Sequence, residues 1–408
     1  MDTEQREPPG ISSGLVWALA LGCGIAVANL YYSQPILGTI AKDLGVSESS
    51  LGNVSALTQF GFAAGLLLLV PLGDTHERRG LILIIFMVLT VILVAVALSP
   101  NLLSLAIASL FMGAATAVLQ MLVPLAAGLA APAERGWVVG RVMSGLLVGL
   151  LTARTVSGFV TAQFGWRAMY AIAAGLTLLL IGVYAWILPR SAPTQKLPYG
   201  QLLRSFGQML ATERALQESC LFGAAAFAAF SAFWTTLAFH LGQPPFNYGS
   251  ESIGLFGLAG VAGALAAPIA GKVADRKGPM QMIGLGLLLA LLSYGLFLGF
   301  ADVLIGLLAG VLLLDFGVQG SHISNQTRIY QLPEDKHNRL NSVYMVAFFL
   351  GGSAGSSLGT YGWTQGGWVG VCLVGGAFAL VGLTIFGWIV TRRRKAGRSF
   401  TTESQRSE

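Results

Sequence analysis

The sequence predicts an all-α membrane protein of twelve transmembrane helices, arranged as two parallel six-helix repeats. Of its 408 residues, 54% are hydrophobic and only 10% are charged, and the mean hydropathy is +0.71. A soluble domain carries about 25% charged residues because its surface faces water. The apolar residues come in runs of about twenty, the length that crosses a hydrocarbon core of roughly 30 Å. The lipid bilayer is therefore the expected surrounding of this chain.

Short polar turns separate the apolar segments from one another. The predicted segments are 14–40, 51–73, 80–98, 102–130, 136–162, 166–188, 217–241, 252–272, 280–300, 303–328, 339–362 and 367–390. The longest polar interval, 189–216, is the predicted cytoplasmic linker between an N-terminal half, 1–188, and a C-terminal half, 217–390. Within the linker, residues 199–212 are predicted to form an amphipathic helix on the membrane surface. A basic cytoplasmic tail, 391–408, follows the second half.

The basic residues predict how the chain is oriented in the membrane. If the N-terminus is cytoplasmic and the segments alternate, most of the 24 Lys and Arg residues lie on the cytoplasmic side. Loops rich in Lys and Arg are retained on that side of membranes. The sequence therefore predicts a multi-pass membrane protein with an even number of spans and both termini in the cytoplasm.

Matching residues recur at nearly one spacing in the two halves. The pairs are Asp74 with Asp275, Gln120 with Gln319, and Trp166 with Trp368. Recurrence at a fixed interval indicates an internal repeat. Because each predicted half has an even number of helices, both halves keep the same orientation and are predicted to be parallel repeats.

Composition and motifs also exclude several classes of function. The basic pI of about 9.3 suits nucleic acid, but the basic residues are scattered between apolar runs rather than gathered in a patch. The 3 cysteines lie inside apolar runs, so neither a disulfide nor a metal site is expected. The sequence contains no nucleotide-binding loop and no catalytic-triad spacing. We therefore expect no enzyme activity, no cofactor and no nucleic-acid partner.

Two charged loops are similar to each other and to a known family. The second follows the eighth apolar segment and reads Gly271-Lys-Val-Ala-Asp275-Arg276-Lys277-Gly278. The first contains Asp74, Arg78 and Arg79 but lacks the leading Gly and the Gly before the Arg pair. These loops resemble the Gly-x-x-x-Asp-Arg-x-Gly-Arg-Arg loop of the major facilitator superfamily, and the resemblance covers essentially the whole chain. It implies the major facilitator fold and a gating latch at the cytoplasmic side, although a charged turn that only sets the topology explains the same residues.

Two further stretches resemble a group of bacterial major facilitators known as sugar or drug efflux permeases. They are Asn29-Leu-Tyr-Tyr-Ser-Gln-Pro35, and the run from Gln319 to Arg328 together with Arg339 to Tyr344. The resemblance implies a secondary active transporter of the bacterial inner (plasma) membrane that works as a monomer. It would export a small organic solute in exchange for protons. The fifth segment departs from the antiporter pattern, because Ser144-Gly-Leu-Leu-Val-Gly149 lacks a Gly-Pro pair. A proton-coupled uptake symporter of the same fold and a transport-dead sensor are the alternatives.

Ionisable residues inside apolar segments are the candidate proton and substrate site. A charge at the centre of a membrane span costs roughly 3 kcal/mol or more. Asp315 lies near the middle of the tenth segment, and Gln319 and His322 follow on the same helical face. Either they bind a proton or a substrate cation, or they form a polar network that fixes this helix to a neighbour. Arg154, inside the fifth segment, is either a counter-ion or a side chain that extends to the headgroups.

Further polar and aromatic residues are expected to line a central cavity between the halves, with packing between helices as the competing explanation. They are Asn29, Tyr32, Gln34, Gln120, Trp234, Asn325 and Tyr344. A kink is expected at Pro35. Glycines repeat every fourth residue at Gly145/Gly149 and Gly351/Gly355/Gly359, which predicts close helix contacts there.

Overall fold

The structure is a computed structural model that describes residues 11–191, 198–260, 272, 276, 278–333 and 336–404; for residue 74 and residues 394–404 the description covers the backbone only. In these residues the regular elements are helices. They are α1 Ser13–Ala28, α2 Leu37–Leu44, α3 Glu48–Leu68, α4 Leu72–Thr75, α5 Arg78–Ala97, α6 Leu102–Thr116, α7 Leu119–Leu129, α8 Arg135–Phe164, α9 Trp166–Ile187, α10 Tyr199–Thr212, α11 Arg214–Leu241, α12 Ser250–Leu255, α13 Pro279–Gly299, α14 Leu304–Ile329 and α15 His337–Ser404, with 3-10 turns at Gln34–Ile36 and Phe256–Ala259. The predicted all-α class is confirmed.

Long apolar helices dominate the part of the chain that the structure describes. Within it, nine helical segments are long and apolar enough to cross a membrane. The last of them, His337–Arg393, has 57 residues and is interrupted by non-helical backbone at Gly366 and Gly367. Gly367 has a φ of +55°, a region that glycine enters without steric strain. The predicted number of twelve spans is not confirmed and stays a prediction.

The first predicted segment, 14–40, is not one continuous helix. Helix α1 ends at Ala28, residues 29–33 form turns, and a 3-10 helix at Gln34–Ile36 leads into α2. The kink expected at Pro35 is therefore part of a longer break that begins at Asn29. Proline lacks an N–H, and its ring would clash in an α-helix with the carbonyl group four residues earlier, which belongs to Tyr31. The Asn29 side chain donates to the Ile25 carbonyl oxygen (3.0 Å) where α1 ends.

Glycine seams bring α1 close to α8 and α11 close to α15, as the glycine spacing predicted. A Cβ atom on Gly149 would lie 2.3 Å from the carbonyl oxygen of Gly24 in α1. A Cβ atom on Gly355 would lie 2.0 Å from the carbonyl oxygen of Ala228 in α11. These distances leave no room for any larger residue, so the predicted close contacts are confirmed.

Polar side chains cap several helices at the ends of the bundle. Asn101 and Ser104 form a reciprocal capping box at the start of α6. Glu77 caps α5 by accepting from the backbone N–H groups of Arg79 (2.9 Å) and Gly80 (2.7 Å), and it also accepts from Ser191 (3.2 Å). Burial alone would raise the pKa of Glu77, but the N–H donors of Gly80, Ser191 and Arg79 outweigh it and hold the pKa below its usual 4.5.

Substitution of Glu77 tests whether its carboxylate caps helix α5. We expect Glu77→Ala to lower the stability of the folded protein by about 1 kcal/mol at neutral pH, because orphan N–H groups lose their acceptor. The lowered pKa means that the wild-type cap is complete above 4.5 and is lost as the pH falls through the folded-state value. The difference in thermal midpoint between the two proteins in detergent should therefore shrink in acid.

Glu77→Gln, which keeps an oxygen acceptor without a titrating group, is the control. A difference in thermal midpoint between wild type and Glu77→Ala that stays constant in acid contradicts the assignment.

The described part of the predicted linker contains the helix expected there. Helix α10, Tyr199–Thr212, has the predicted bounds. Its apolar side, Leu202, Phe206 and Met209, is buried against the bundle. The Tyr199 hydroxyl donates to the Leu68 carbonyl oxygen at the end of α3 (2.7 Å). The linker helix is thus attached to the bundle at the predicted cytoplasmic end.

Candidate functional site

Two buried side chains of opposite charge contact one indole ring, one at its Nε1 edge and the other over its face. Arg154 on α8 is 3% exposed and Asp315 on α14 is 4% exposed. Trp234 on α11 donates its Nε1–H to Asp315 Oδ1 (3.2 Å), and the Arg154 Cζ atom lies 4.1 Å from the centre of the Trp234 ring. A cation over an indole face is attracted by the ring quadrupole. We call Arg154, Trp234 and Asp315 the central cluster.

The break after α1 supplies further contacts to the arginine of the central cluster. Arg154 Nε donates to Gln34 Oε1 (2.7 Å), and the guanidinium also lies 4.9 Å from the centre of the Tyr31 ring. The Arg154 Nη2 atom is buried and has no hydrogen-bond partner among the residues that the structure describes. Gln34 was a predicted cavity residue, whereas Tyr31 was missed in favour of its neighbour Tyr32. Both tyrosines occur in the same motif, and only the backbone turns of residues 29–33 decide which ring meets Arg154.

Two glycines that follow α12 allow the backbone to approach the central cluster. A Cβ atom on Gly257 would lie 2.7 Å from Arg154 Cβ, and a Cβ atom on Gly260 would lie 3.3 Å from Asp315 Oδ2. The cavity beside the cluster has a volume of only about 10 Å³. It is lined by Gln34, Pro35, Arg154, Trp234, Leu237, Ala238 and Ile253. In this conformation the side chains of the protein itself close the site.

His322, which was predicted on the same helical face as Asp315, contacts a different helix. His322 Nδ1 lies 2.9 Å from the Tyr344 hydroxyl of α15, and the His322 ring is 4.6 Å from that of Phe348. Gln326 Nε2 donates to Asn341 Oδ1 on α15 (3.1 Å). His322 is two helical turns, or about 10 Å, from Asp315 along the axis. The structure therefore brings Tyr344 and His322 together but does not join them to the central cluster.

The other predicted cavity residues are dispersed. Asn29 and Asn325 are buried, and the Oδ1 atom of each has no hydrogen-bond partner among the described residues. The Tyr32 side chain is buried at the α1–α8 interface, and Gln319 is half-buried. Gln120 lines a second cavity of about 80 Å³ at the predicted cytoplasmic end. Its walls come from α3, α7, α10 and α15.

The predicted gating motif is only partly described. Arg78 Nε donates to the Gly73 carbonyl oxygen (2.9 Å), and Arg79 donates to the Ala185 carbonyl oxygen of α9 (2.5 Å). Arg276 is exposed, and Gly278 precedes α13 with a φ of +91°. The predictions for Gly271, Asp275 and the Asp74 side chain lie outside the described residues.

Two polar clusters were missed by the sequence reasoning. In α3, Gln59 Nε2 donates to Ser356 Oγ (2.8 Å), and Gln59 Oε1 accepts from Ser231 Oγ (3.1 Å). This cluster joins α3, α11 and α15, and an amide inside an apolar run was the available signal. At the predicted cytoplasmic end, Glu218 pairs with both Arg328 and Arg393.

The fold and its interior together define a class of protein. Long apolar helices enclose charged and amide side chains, and ionisable groups inside membrane spans mark solute or ion pathways. This combination is typical of a multi-pass membrane transporter. Comparison with known proteins identifies the family.

A family model described as the Major Facilitator Superfamily matches residues 19–332. The chain is 44% identical over 388 residues to the uncharacterized transporter YgaY of Escherichia coli O157:H7, covering 95% of this chain and 98% of the relative. It is 35% identical over 394 residues to the "Probable transporter SCO4007" of Streptomyces coelicolor, covering 96% and 90%. The crystal structure of a peptide transporter POT in complex with sulfate has the same fold, with a TM-score of 0.78, 13% identity, and coverage of 98% of this chain and 99% of that chain. The chain therefore belongs to the major facilitator superfamily of membrane transporters, which confirms the family predicted from the sequence.

Proposed function

We propose that the protein is a secondary active transporter that exports a small organic solute across the bacterial inner membrane in exchange for protons. The central cluster is the observation that carries this proposal. It holds a buried carboxylate, on Asp315 (4% exposed), and a buried guanidinium, on Arg154 (3% exposed). The two helices that carry them lie on opposite sides of the linker in the sequence. Burying two such charges inside a membrane costs free energy unless they pair with each other or bind a proton or a solute.

In the proposed cycle, Asp315 carries the proton and Arg154 is its counter-charge. The ionised carboxylate is stabilised by the nearby guanidinium and by the Trp234 Nε1–H bond. A proton that reaches Asp315 from outside neutralises the carboxylate, and a solute that enters from the cytoplasm releases that proton inward. Solute and proton thus compete for the Asp315 carboxylate, and such competition is what exchange of one for the other requires.

Rocking of residues 1–188 against residues 217–390 would expose the central cluster to each side in turn. Both termini are proposed to be cytoplasmic, so that the Arg78, Arg79 and Arg276 loops lie at the inner surface. The glycine seams within each half support movement as two bodies, because they pack α1 on α8 and α11 on α15 without intervening side chains. His322 with Tyr344, and Gln120 with its cavity, are proposed to line the inner part of the pathway.

The direction of transport can be tested in vesicles of defined orientation. Inside-out vesicles are given an acidic lumen that a fluorescent dye reports, and a low-molecular-weight extract of Escherichia coli cells is added outside. We expect the extract to dissipate the pH gradient only when the protein is present, because solute enters as protons leave. Mass spectrometry of the lumen identifies the solute.

The alternative, proton-coupled uptake by the same fold, predicts a different outcome. Right-side-out vesicles with an acidic exterior would then accumulate solutes from the extract, and the inside-out vesicles would not. A protein that gives no proton-dependent solute movement in either orientation would exclude proton-coupled transport altogether, in favour of a sensor.

A further inference from the structure

The arginine of the central cluster carries a donor that no described residue accepts. Arg154 Nη2 is buried without a hydrogen-bond partner in the part of the chain that the structure describes, although Arg154 Nε donates to Gln34 (2.7 Å). A buried donor without an acceptor is unfavourable, and more so when it is charged. Arg154 also lines the small cavity next to Trp234. The residue that carries the unpartnered donor therefore lies at the wall of the proposed solute site.

Asp315 does not satisfy this donor. Among the described residues, the ion pairs within 4.0 Å are formed by Asp43, Glu213 and Glu218. Asp315 and Arg154 instead contact different parts of Trp234: Asp315 meets the Nε1 edge, and Arg154 lies over the ring face. The two charges are close enough to neutralise each other in part, but each keeps atoms that can bind a third group.

From this arrangement we infer that the exported solute is a zwitterion of the amino-acid type, whose carboxylate binds Arg154 and whose ammonium group binds Asp315. This inference rests on the proposed exchange function. A guanidinium presents paired N–H donors that match a carboxylate, and a carboxylate in turn accepts from an ammonium group. The Trp234 and Tyr31 rings, which already contact Arg154, supply apolar walls for the body of the solute.

Other charge types fit the cluster less well. A neutral sugar leaves both buried charges with no new partner. A lone cation adds positive charge beside Arg154 and leaves Nη2 unpaired. A lone anion takes Arg154 away from Asp315 and so favours the protonated acid, which would move proton and solute in the same direction.

A zwitterion alone couples binding at both groups to proton release. Its carboxylate accepts from Arg154 Nη2, and its ammonium group requires Asp315 to be ionised. The Asp315 carboxylic acid therefore gives up its proton, which leaves towards the cytoplasm as the ammonium group takes its place. No covalent bond is formed, and one proton is released for each zwitterion bound.

A matched library tests the inference in the inside-out vesicles described above. It contains the twenty amino acids, their carboxamides, which lack the carboxylate, and the corresponding carboxylic acids, which lack the amine. We expect at least one amino acid to dissipate the pH gradient about 100-fold more effectively than its carboxamide, because a site built for a buried charged group rejects analogues that lack it. Equal activity of an amide or of an amine-free acid overturns the inference, as does the absence of any response to the amino acids.

Substitutions in helix α8 test whether Arg154 is the residue that selects for the carboxylate of the solute. Arg154→Gln should lose the preference for the amino acid over its carboxamide, whereas Arg154→Lys should keep part of it. Arg141→Gln is the matched control, since Arg141 lies on the same helix α8 but contacts Trp17 (4.9 Å) and Trp137 (4.8 Å). Unchanged selectivity in a well-folded Arg154→Gln protein contradicts the assignment, and the wild-type selectivity decides the question if that variant does not fold.

The failure of this inference can be distinguished from the failure of the proposed function. If the cell extract dissipates the gradient but no amino acid does, exchange stands and the zwitterion is wrong. If neither the extract nor the library produces a response, the proposed exchange itself is wrong.

Discussion

Replacing Asp315 by asparagine is expected to reduce proton-coupled solute exchange to the level of vesicles that lack the protein. Asparagine has nearly the same shape and can still accept the Trp234 Nε1–H bond, which in the wild type spans 3.2 Å to Oδ1. It cannot bind or release a proton at any accessible pH. The central cluster would therefore keep its packing and lose its proton carrier. The measurement is dissipation of the pH gradient by the cell extract in inside-out vesicles.

The controls for Asp315→Asn separate chemistry from folding. Asp302→Asn makes the same chemical change at an exposed position just before α14 and should leave exchange unchanged. The size-exclusion profile of Asp315→Asn in detergent should match that of the wild type, since asparagine can still accept the Trp234 Nε1–H bond. Wild-type proton exchange in the Asp315→Asn protein would assign the proton to another group, with His322 as the next candidate.

Replacing Gly355 by valine is expected to prevent assembly of the helix pair α11–α15. A Cβ atom at this position would lie 2.0 Å from the Ala228 carbonyl oxygen, a backbone atom that no rotamer change can move. Overpacking of a tight core costs typically 1–3 kcal/mol when side chains can adjust, and here the helices themselves must separate. We expect a loss of more than about 3 kcal/mol, seen as a thermal midpoint in detergent that falls by at least about 5 °C.

Gly387 offers a matched control on the same helix. A Cβ atom there has no neighbour within 4 Å, so Gly387→Val changes helix propensity and side-chain size without a clash. Size-exclusion chromatography and thermal unfolding should give nearly wild-type results for this variant. A Gly355→Val protein that is as stable as Gly387→Val would show that α11 and α15 do not pack as closely as described.

Much of the fold could be predicted because the bilayer imposes strong constraints on a chain. Apolar runs predicted the long helices, and glycines at every fourth residue predicted the seams of α8 and α15. The interruption of the first helix was predicted at Pro35, but it begins at Asn29. A proline destabilises a helix locally, but the tertiary contacts of the neighbouring residues determine at which residue the helix ends.

The site was harder to predict than the fold. The cost of burying a charge singled out Asp315 and Arg154 in the sequence, but not that Trp234 contacts both. One helical face appeared to group Asp315 with His322, yet the first meets α11 and the second meets α15. Helical periodicity gives the direction of a side chain on its own helix, whereas the identity of the neighbouring helix depends on contacts distant in sequence.

The hydrogen bonds around Gln59 also set an energy scale for the conformational cycle. Ser356 accepts from Gln59 and lies 2.8 Å from Thr235 Oγ1, and Ser231 completes the group. Each such bond contributes about 1 kcal/mol net, and each 1.4 kcal/mol changes a population ratio tenfold. The two bonds of Gln59, which join α3 to α11 and to α15, therefore favour the joined arrangement of these helices by roughly thirtyfold. That bias is strong enough to keep one conformation dominant in the empty protein, and small enough for the binding energy of a single solute to reverse it.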